Sequence, residues 1–116
     1  MAEVFADEAL FTYGTLQLPG VQRDTFGRLL KGEEDVLAGF TIDYVEIEDT
    51  RVAEVSGAEV HPILRETGDA RDKVVGTLMW LTADELEAAD EYEVSLYRRA
   101  SVTLVSGRSA WVYVIA

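Results

Sequence analysis

Val74-Val75-Gly76-Thr77-Leu78-Met79-Trp80-Leu81, followed at once by Thr82-Ala83-Asp84-Glu85, is the stretch that decides the fold. The first eight residues are apolar on both faces of a two-residue repeat, which describes a strand covered on both sides and therefore central to its sheet. The next four fit a capping box, in which the Thr82 hydroxyl and the Glu85 carboxylate each satisfy an orphan N–H at a helix start. Leu81 and Leu86 flank the box as a hydrophobic staple, so a central strand passes directly into a helix reaching about Tyr92.

C-terminal to that helix, Tyr97 to Val105 and Ala110 to Ile115 read as two strands joined by Ser106-Gly107-Arg108-Ser109. N-terminal to the central strand the signals are more mixed. Ala9 to Tyr13 is a short apolar and aromatic strand, and Gly14 with Pro19-Gly20 marks a loop. A helix follows, with Asp24 as its expected N-cap and Phe26, Leu29 and Leu30 on its inner face until Gly32. Val36 to Ile47 alternates as one long strand in which Gly39 marks a bulge or sharp bend. His61-Pro62-Ile63-Leu64-Arg65 fits an edge strand, because proline cannot donate to a ladder, whereas Val52 to Val60 is weakly patterned.

Five to seven strands with two main helices, lacking regular strand–helix–strand alternation, imply an α+β fold. The 116 residues show no dividing linker and no internal repeat, and a 48% hydrophobic content supplies a core, so residues 1–116 are expected to form one domain.

The chain carries 22 acidic against 10 basic residues, a net charge of -12, which repels nucleic-acid backbones and anionic lipid. Glu33-Glu34-Asp35 and Glu46, Glu48 and Asp49 read as solvated loops or strand edges. Without cysteine there are no disulfides and no thiolate chemistry, and a single histidine rules out a site of several imidazoles. No segment approaches the roughly 20 apolar residues of a membrane span. The expectation is a soluble cytoplasmic protein without nucleic-acid or membrane partners, as a monomer or homodimer.

Helical phase singles out one acidic residue. From Leu86, which faces the core, seven residues turn the helix through almost two full turns and bring Glu93 back to within about 20° of the same face. Ala89 and Asp90 share that stripe, while Glu85, Glu87 and Glu91 project elsewhere. A carboxyl drawn inward loses hydration, which raises its pKa toward the range useful for moving protons at neutral pH. The alternative is a last-turn glutamate bending back to water.

Tyr13-Gly14-Thr15-Leu16 has two readings as well: an ordinary strand-to-loop turn, or a set of N–H groups able to hold a carboxylate or an oxyanion. On a strand Tyr97 and Arg99 share a face, so both can reach a cleft beside Glu93, or both can lie on a solvated face. His61 reads as structural, and Trp80, Trp111 and Tyr113 as core or half-buried strand residues. No nucleophile elbow, Walker motif or dinucleotide fingerprint is present.

Several stretches together resemble the gamma-glutamylcyclotransferase family in its broad sense, including its avirulence-induced-gene-like and gamma-glutamylamine branches. The resemblance rests on Phe11-Thr12-Tyr13-Gly14-Thr15-Leu16, His61-Pro62-Ile63, Val75-Gly76-Thr77-Leu78, Asp90-Glu91-Tyr92-Glu93 with Tyr97-Arg98-Arg99, and Ala110-Trp111-Val112-Tyr113. It implies a compact mixed β-barrel with packed helices. It also implies that Tyr13, Gly14, Thr15 and Leu16 hold a gamma-glutamyl group and that Glu93 is the catalytic acid/base, with Tyr97 and Arg99 beside it. The implied reaction closes 5-oxoproline by attack of the substrate's own alpha-amine and needs no metal or organic cofactor. Two other readings stay open: a non-catalytic ligand-binding or protein-interaction module on the same fold, and a related acyl transferase or hydrolase.

Overall fold

The computed structural model describes residues 6–47, 59–93 and 97–115. In chain order the elements are β1 (Glu8–Thr12), a 3-10 turn (Thr15–Gln17), α1 (Pro19–Phe26), β2 (Gly32–Ala38), β3 (Phe40–Ile47), β4 (Glu59–Glu66), β5 (Lys73–Leu81), α2 (Ala83–Tyr92), β6 (Tyr97–Thr103) and β7 (Ser109–Ile115). The architecture is α+β. The readings made for Glu48, Asp49 and Val52 to Ala58 lie outside the described residues, while Glu59 and Val60 open β4.

The strands form a five-stranded sheet in the order β2-β5-β1-β7-β6 and a separate β3-β4 pair. β1 runs antiparallel to β5, with Phe11 opposite Leu78, and parallel to β7, with Leu10 opposite Trp111. The doubly apolar β5 lies inside the sheet, between β2 and β1. Alternation along β1 divides the core. Phe11 packs with Leu37, Leu64, Val74, Leu78 and Val112, where the β3-β4 pair contributes Phe40, Ile42 and Leu64. Leu10 points the other way, into Leu16, Met79, Leu81 and Ala89, where Val21 and Phe26 of α1 pack.

The sheet is not a closed barrel, because its edges β2 and β6 form no ladder with each other. The turn after β6 instead fastens onto β2. The Val105 N–H donates to the Val36 carbonyl at 2.8 Å, the Ser106 hydroxyl to Asp35 at 2.7 Å, and Arg108 pairs with Glu33. Asp35 is accordingly buried and belongs to this seam; it lies on an edge strand, but not solvated as expected. Glu33 and Glu34 stay exposed on the edge strand, where charge discourages pairing with another chain.

Two further expectations are corrected. The long strand from Val36 to Ile47 is two strands in two sheets, broken at Gly39, whose φ of 84° is a left-handed conformation that only glycine adopts freely. Hydrogen bonds from the Gly39 N–H to Asp72 and from Thr67 and Gly68 to the Gly39 carbonyl fix the break. The first helix begins at Pro19 rather than after Asp24, since the fixed φ of proline suits the first helical position. Gly27, at φ 73°, stops it before Leu29, which is exposed.

The capping box at α2 is present on both sides: the Glu85 N–H donates to Thr82 Oγ1 at 3.1 Å and the Thr82 N–H to Glu85 Oε1 at 2.9 Å. Arg28 adds a bidentate pair to Glu85 at 2.7 Å for each bond. Thr82→Ala is expected to cost about 1 kcal/mol, read as a lowered midpoint in denaturant unfolding. No helix among the described residues is long and apolar enough to cross a membrane.

Candidate active site

A cleft of about 450 Å³ opens where β1 ends, and four parts of the chain meet around it. β1 and the following loop supply Phe11, Thr12, Tyr13, Gly14 and Thr15, and the segment leading into α1 supplies Leu18. β4 brings His61 and Pro62, the end of α2 brings Tyr92 and Glu93, and the last two strands bring Tyr97 and Tyr113.

Glu93 follows the last helical residue of α2. Its N–H donates to the Ala89 carbonyl at 3.0 Å, closing the final turn, while its φ of -70° and ψ of 139° are already extended. The helical stripe running from Leu86 through Ala89, both buried, therefore delivers Glu93 into the cleft although the residue itself has left the helix. Its carboxyl has no ion pair among the described residues, and burial alone pushes its pKa up to about 7.

Three phenols surround it. The Tyr13 hydroxyl donates to the Tyr113 carbonyl at 2.8 Å, the Tyr97 hydroxyl to the Pro62 carbonyl at 2.5 Å, and the Tyr113 hydroxyl to Asp90 at 2.7 Å. All three are held above the ordinary phenol range, first by burial and also by the charge of Glu93, Tyr97 to about 12. They stay protonated across neutral pH and present a fixed set of polar groups around one carboxyl.

The loop after β1 is braced from behind. The Gln17 N–H donates to the Gly14 carbonyl at 3.2 Å, Thr77 donates to the Gln17 side chain at 2.9 Å, and the buried Gln22 donates to the Leu16 carbonyl at 2.9 Å. The N–H groups of Thr15 and Leu16 precede the first internal bond of the 3-10 turn. Gly14 has an ordinary φ of -121°, and a Cβ there would meet nothing within 4 Å, so its smallness leaves open space in the cleft rather than relieving strain. Across the mouth, Thr15 Oγ1 and the Tyr92 hydroxyl are hydrogen bonded at 2.6 Å.

Of the residues singled out from sequence, Tyr13, Gly14, Thr15, Tyr97 and Glu93 meet in this cleft. Leu16 and Arg99 do not line it. The Leu16 side chain is wholly buried in the helix-side core, so only its backbone belongs to the loop. Arg99 pairs with Asp90 at 2.8 Å and stacks on Trp111 at 4.7 Å from the ring centroid, beside a neighbouring depression behind Tyr97 and Tyr113. Leu18, Pro62, Tyr92 and Tyr113 are lining residues that sequence reasoning passed over. Tyr113, read from sequence as a core or half-buried strand residue, is buried and also faces the cleft. No cluster of three or more metal-ligating side chains occurs among the described residues.

The raised carboxyl has a stability signature. Between its ordinary pKa of 4.5 and about 7 the folded protein holds a proton that the unfolded chain has released. Stability contributed by this group is thus fullest below pH 4.5 and declines as pH rises through 7. Glu93→Gln removes that cost and is expected to be more stable than wild type by about 1–3 kcal/mol above the window, allowing for partial solvent screening. The advantage should disappear at low pH, as urea unfolding at both ends of the range would show.

A family model described as gamma-glutamyl cyclotransferase, AIG2-like, matches residues 10–116. Two solution structures of Arabidopsis thaliana proteins share the fold. The first has a TM-score of 0.75 at 20% identity, with 99% of this chain and 66% of that one covered. The second has a TM-score of 0.72 at 23% identity, with 93% and 68% covered. This chain thus spans about two thirds of the length of each. A comparison with curated proteins found no match.

Proposed function

The chain belongs to the gamma-glutamyl cyclotransferase, AIG2-like, family, and on that footing we propose that it releases 5-oxoproline from a small gamma-glutamyl compound, with Glu93 as the acid/base. The observation that carries the reading is a lone buried carboxyl, its pKa pushed up to about 7 by burial, in one cleft with the Tyr13–Thr15 loop.

In the proposed reaction the substrate's alpha-amine attacks its own gamma-carbonyl carbon. A new C–N bond closes a five-membered lactam, and the original amide C–N bond breaks. The attacking nitrogen must lose a proton and the leaving nitrogen must gain one. A carboxyl ionising near neutrality can accept the first and return it to the second, so a single residue serves both steps. The N–H groups of the Gly14–Leu16 loop would hold the alpha-carboxylate or the developing oxyanion, and the Tyr13, Tyr97 and Tyr113 rings would confine the chain of the substrate. Because nucleophile and electrophile share one molecule, folding the substrate into its cyclising conformer is much of the catalytic task. Leu16 takes part through its backbone, and Arg99 acts only at a distance, by fixing Asp90 and hence the Tyr113 hydroxyl.

Product mass tests the reading. Incubation with a panel of gamma-glutamyl amines and amino acids is expected to yield 5-oxoproline and free amine. Free glutamate would assign the site to a hydrolase, and tight binding of the panel with no product would assign it to a binding module.

A further inference from the structure

A second depression, of about 380 Å³, shares Tyr97 and Tyr113 with the cleft and is completed by Asp90, Arg98, Arg99 and Trp111. Neither Glu93 nor the Tyr13–Thr15 loop borders it, so the reaction proposed above gives it no ligand.

Its side chains are unlike the rest of the surface. In a chain of 10 basic and 22 acidic residues, two neighbouring arginines line one hollow. Arg28, Arg65, Arg71 and Arg108 are each bonded to a carboxylate elsewhere. Arg98 is exposed. Arg99 meets Asp90 through Nε, 2.8 Å and 3.1 Å from its two oxygens, which leaves both terminal Nη groups to another acceptor. The Trp111 ring, its centroid 4.7 Å from the guanidinium, holds that fork in place before a ligand arrives. An oriented guanidinium fork matches the oxygens of a carboxylate or phosphate with two parallel N–H···O bonds.

Charge decides between those two anions. Asp90 borders the hollow, and Glu8 accepts the Trp111 Nε1–H at 3.2 Å. Two carboxylates so close repel a phosphate dianion more than a monoanion. The aromatic residues Tyr97, Trp111 and Tyr113 also offer apolar surface that the body of a ligand would cover.

We propose that this depression is a second ligand site, taking a small carboxylate carried on an apolar body, with Arg99 and Arg98 holding the anion beside Trp111. The site stands apart from the cyclotransferase reading, because binding here needs neither Glu93 nor turnover.

The chain has two tryptophans, so the indole N–H signals of Trp111 and Trp80 serve as reporter and internal control in a ¹⁵N NMR titration. Sodium benzoate at constant ionic strength is expected to shift the Trp111 signal saturably while Trp80 stays in place, with inorganic phosphate binding more weakly. Arg99→Lys keeps a cation for Asp90 but loses the fork, and Arg98→Gln leaves the Arg99–Asp90 pair untouched; each should weaken benzoate several-fold in the folded protein. A benzoate response no larger than that to sodium chloride would overturn the site. So would shifts at the Gly14–Leu16 amides in place of Trp111, which would seat benzoate in the cleft, and so would undiminished affinity in both variants. Tighter binding of phosphate than of benzoate would overturn the choice of a carboxylate. None of these results bears on whether the protein forms 5-oxoproline.

Discussion

Gly76→Ala is expected to lose about 3 kcal/mol of stability or more, a large share of the roughly 5–15 kcal/mol that holds a domain together. Gly76 lies on β5 where that strand passes β1, and a Cβ there would stand 2.4 Å from the Thr12 carbonyl oxygen and 2.7 Å from the Phe11 ring. An aromatic ring can shift, but the carbonyl is part of the backbone that carries Tyr13 and Gly14 into the cleft. Trimming the ring should therefore not repair the damage. The double variant Gly76→Ala/Phe11→Leu is expected to remain at least as unstable as Gly76→Ala in urea unfolding. Recovery to the level of Phe11→Leu alone would show that the close approach of β5 to the β1 backbone is misjudged. Because Phe11 and Thr12 both border the cleft, ligand binding should weaken along with stability.

The elements legible from sequence were those with signals contained within a few residues. Thr82 to Glu85 announces its helix because both reciprocal bonds of a capping box lie within one turn, and Val74 to Leu81 announces a central strand by having no polar face. The helix at Pro19 was misplaced because proline and glycine side by side suggest a loop, and only the chain around them shows that Pro19 occupies a first turn. Gly39 was correctly marked as a bend. Its consequence, a change of sheet, depends on bonds to Asp72, Thr67 and Gly68 that no local pattern encodes.

The site divides the same way. Helical phase separated Glu93 from Glu85, Glu87 and Glu91 because one face of one helix suffices for the argument. Strand alternation correctly put Tyr97 and Arg99 on one face, but the partner that draws Arg99 aside, Asp90, lies nine residues away on another element. Leu18, Tyr92 and Tyr113 enter the cleft through packing between distant segments, and nothing in their local sequence distinguishes them from ordinary apolar positions.

Glu93→Gln is expected to lower 5-oxoproline formation by about 10²–10⁴-fold, the contribution typical of a positioned acid/base, equivalent to about 3–5 kcal/mol of barrier. Glutamine keeps the size and polarity of the side chain and cannot relay a proton, and relief of the buried charge should leave the variant at least as stable as wild type. A loss of rate therefore cannot be ascribed to unfolding. The wild-type rate should rise as pH passes through about 7, where the carboxyl becomes a base, and that limb should be missing from the residual activity of the variant.

The central claim is that the buried carboxyl of Glu93 drives ring closure, and the most direct measurement is the rate of 5-oxoproline release from one gamma-glutamyl amine by wild type and Glu93→Gln at neutral pH. Product from the wild type, with a fall of two orders of magnitude or more in the folded variant, is the predicted result. Equal rates from the two proteins would contradict it.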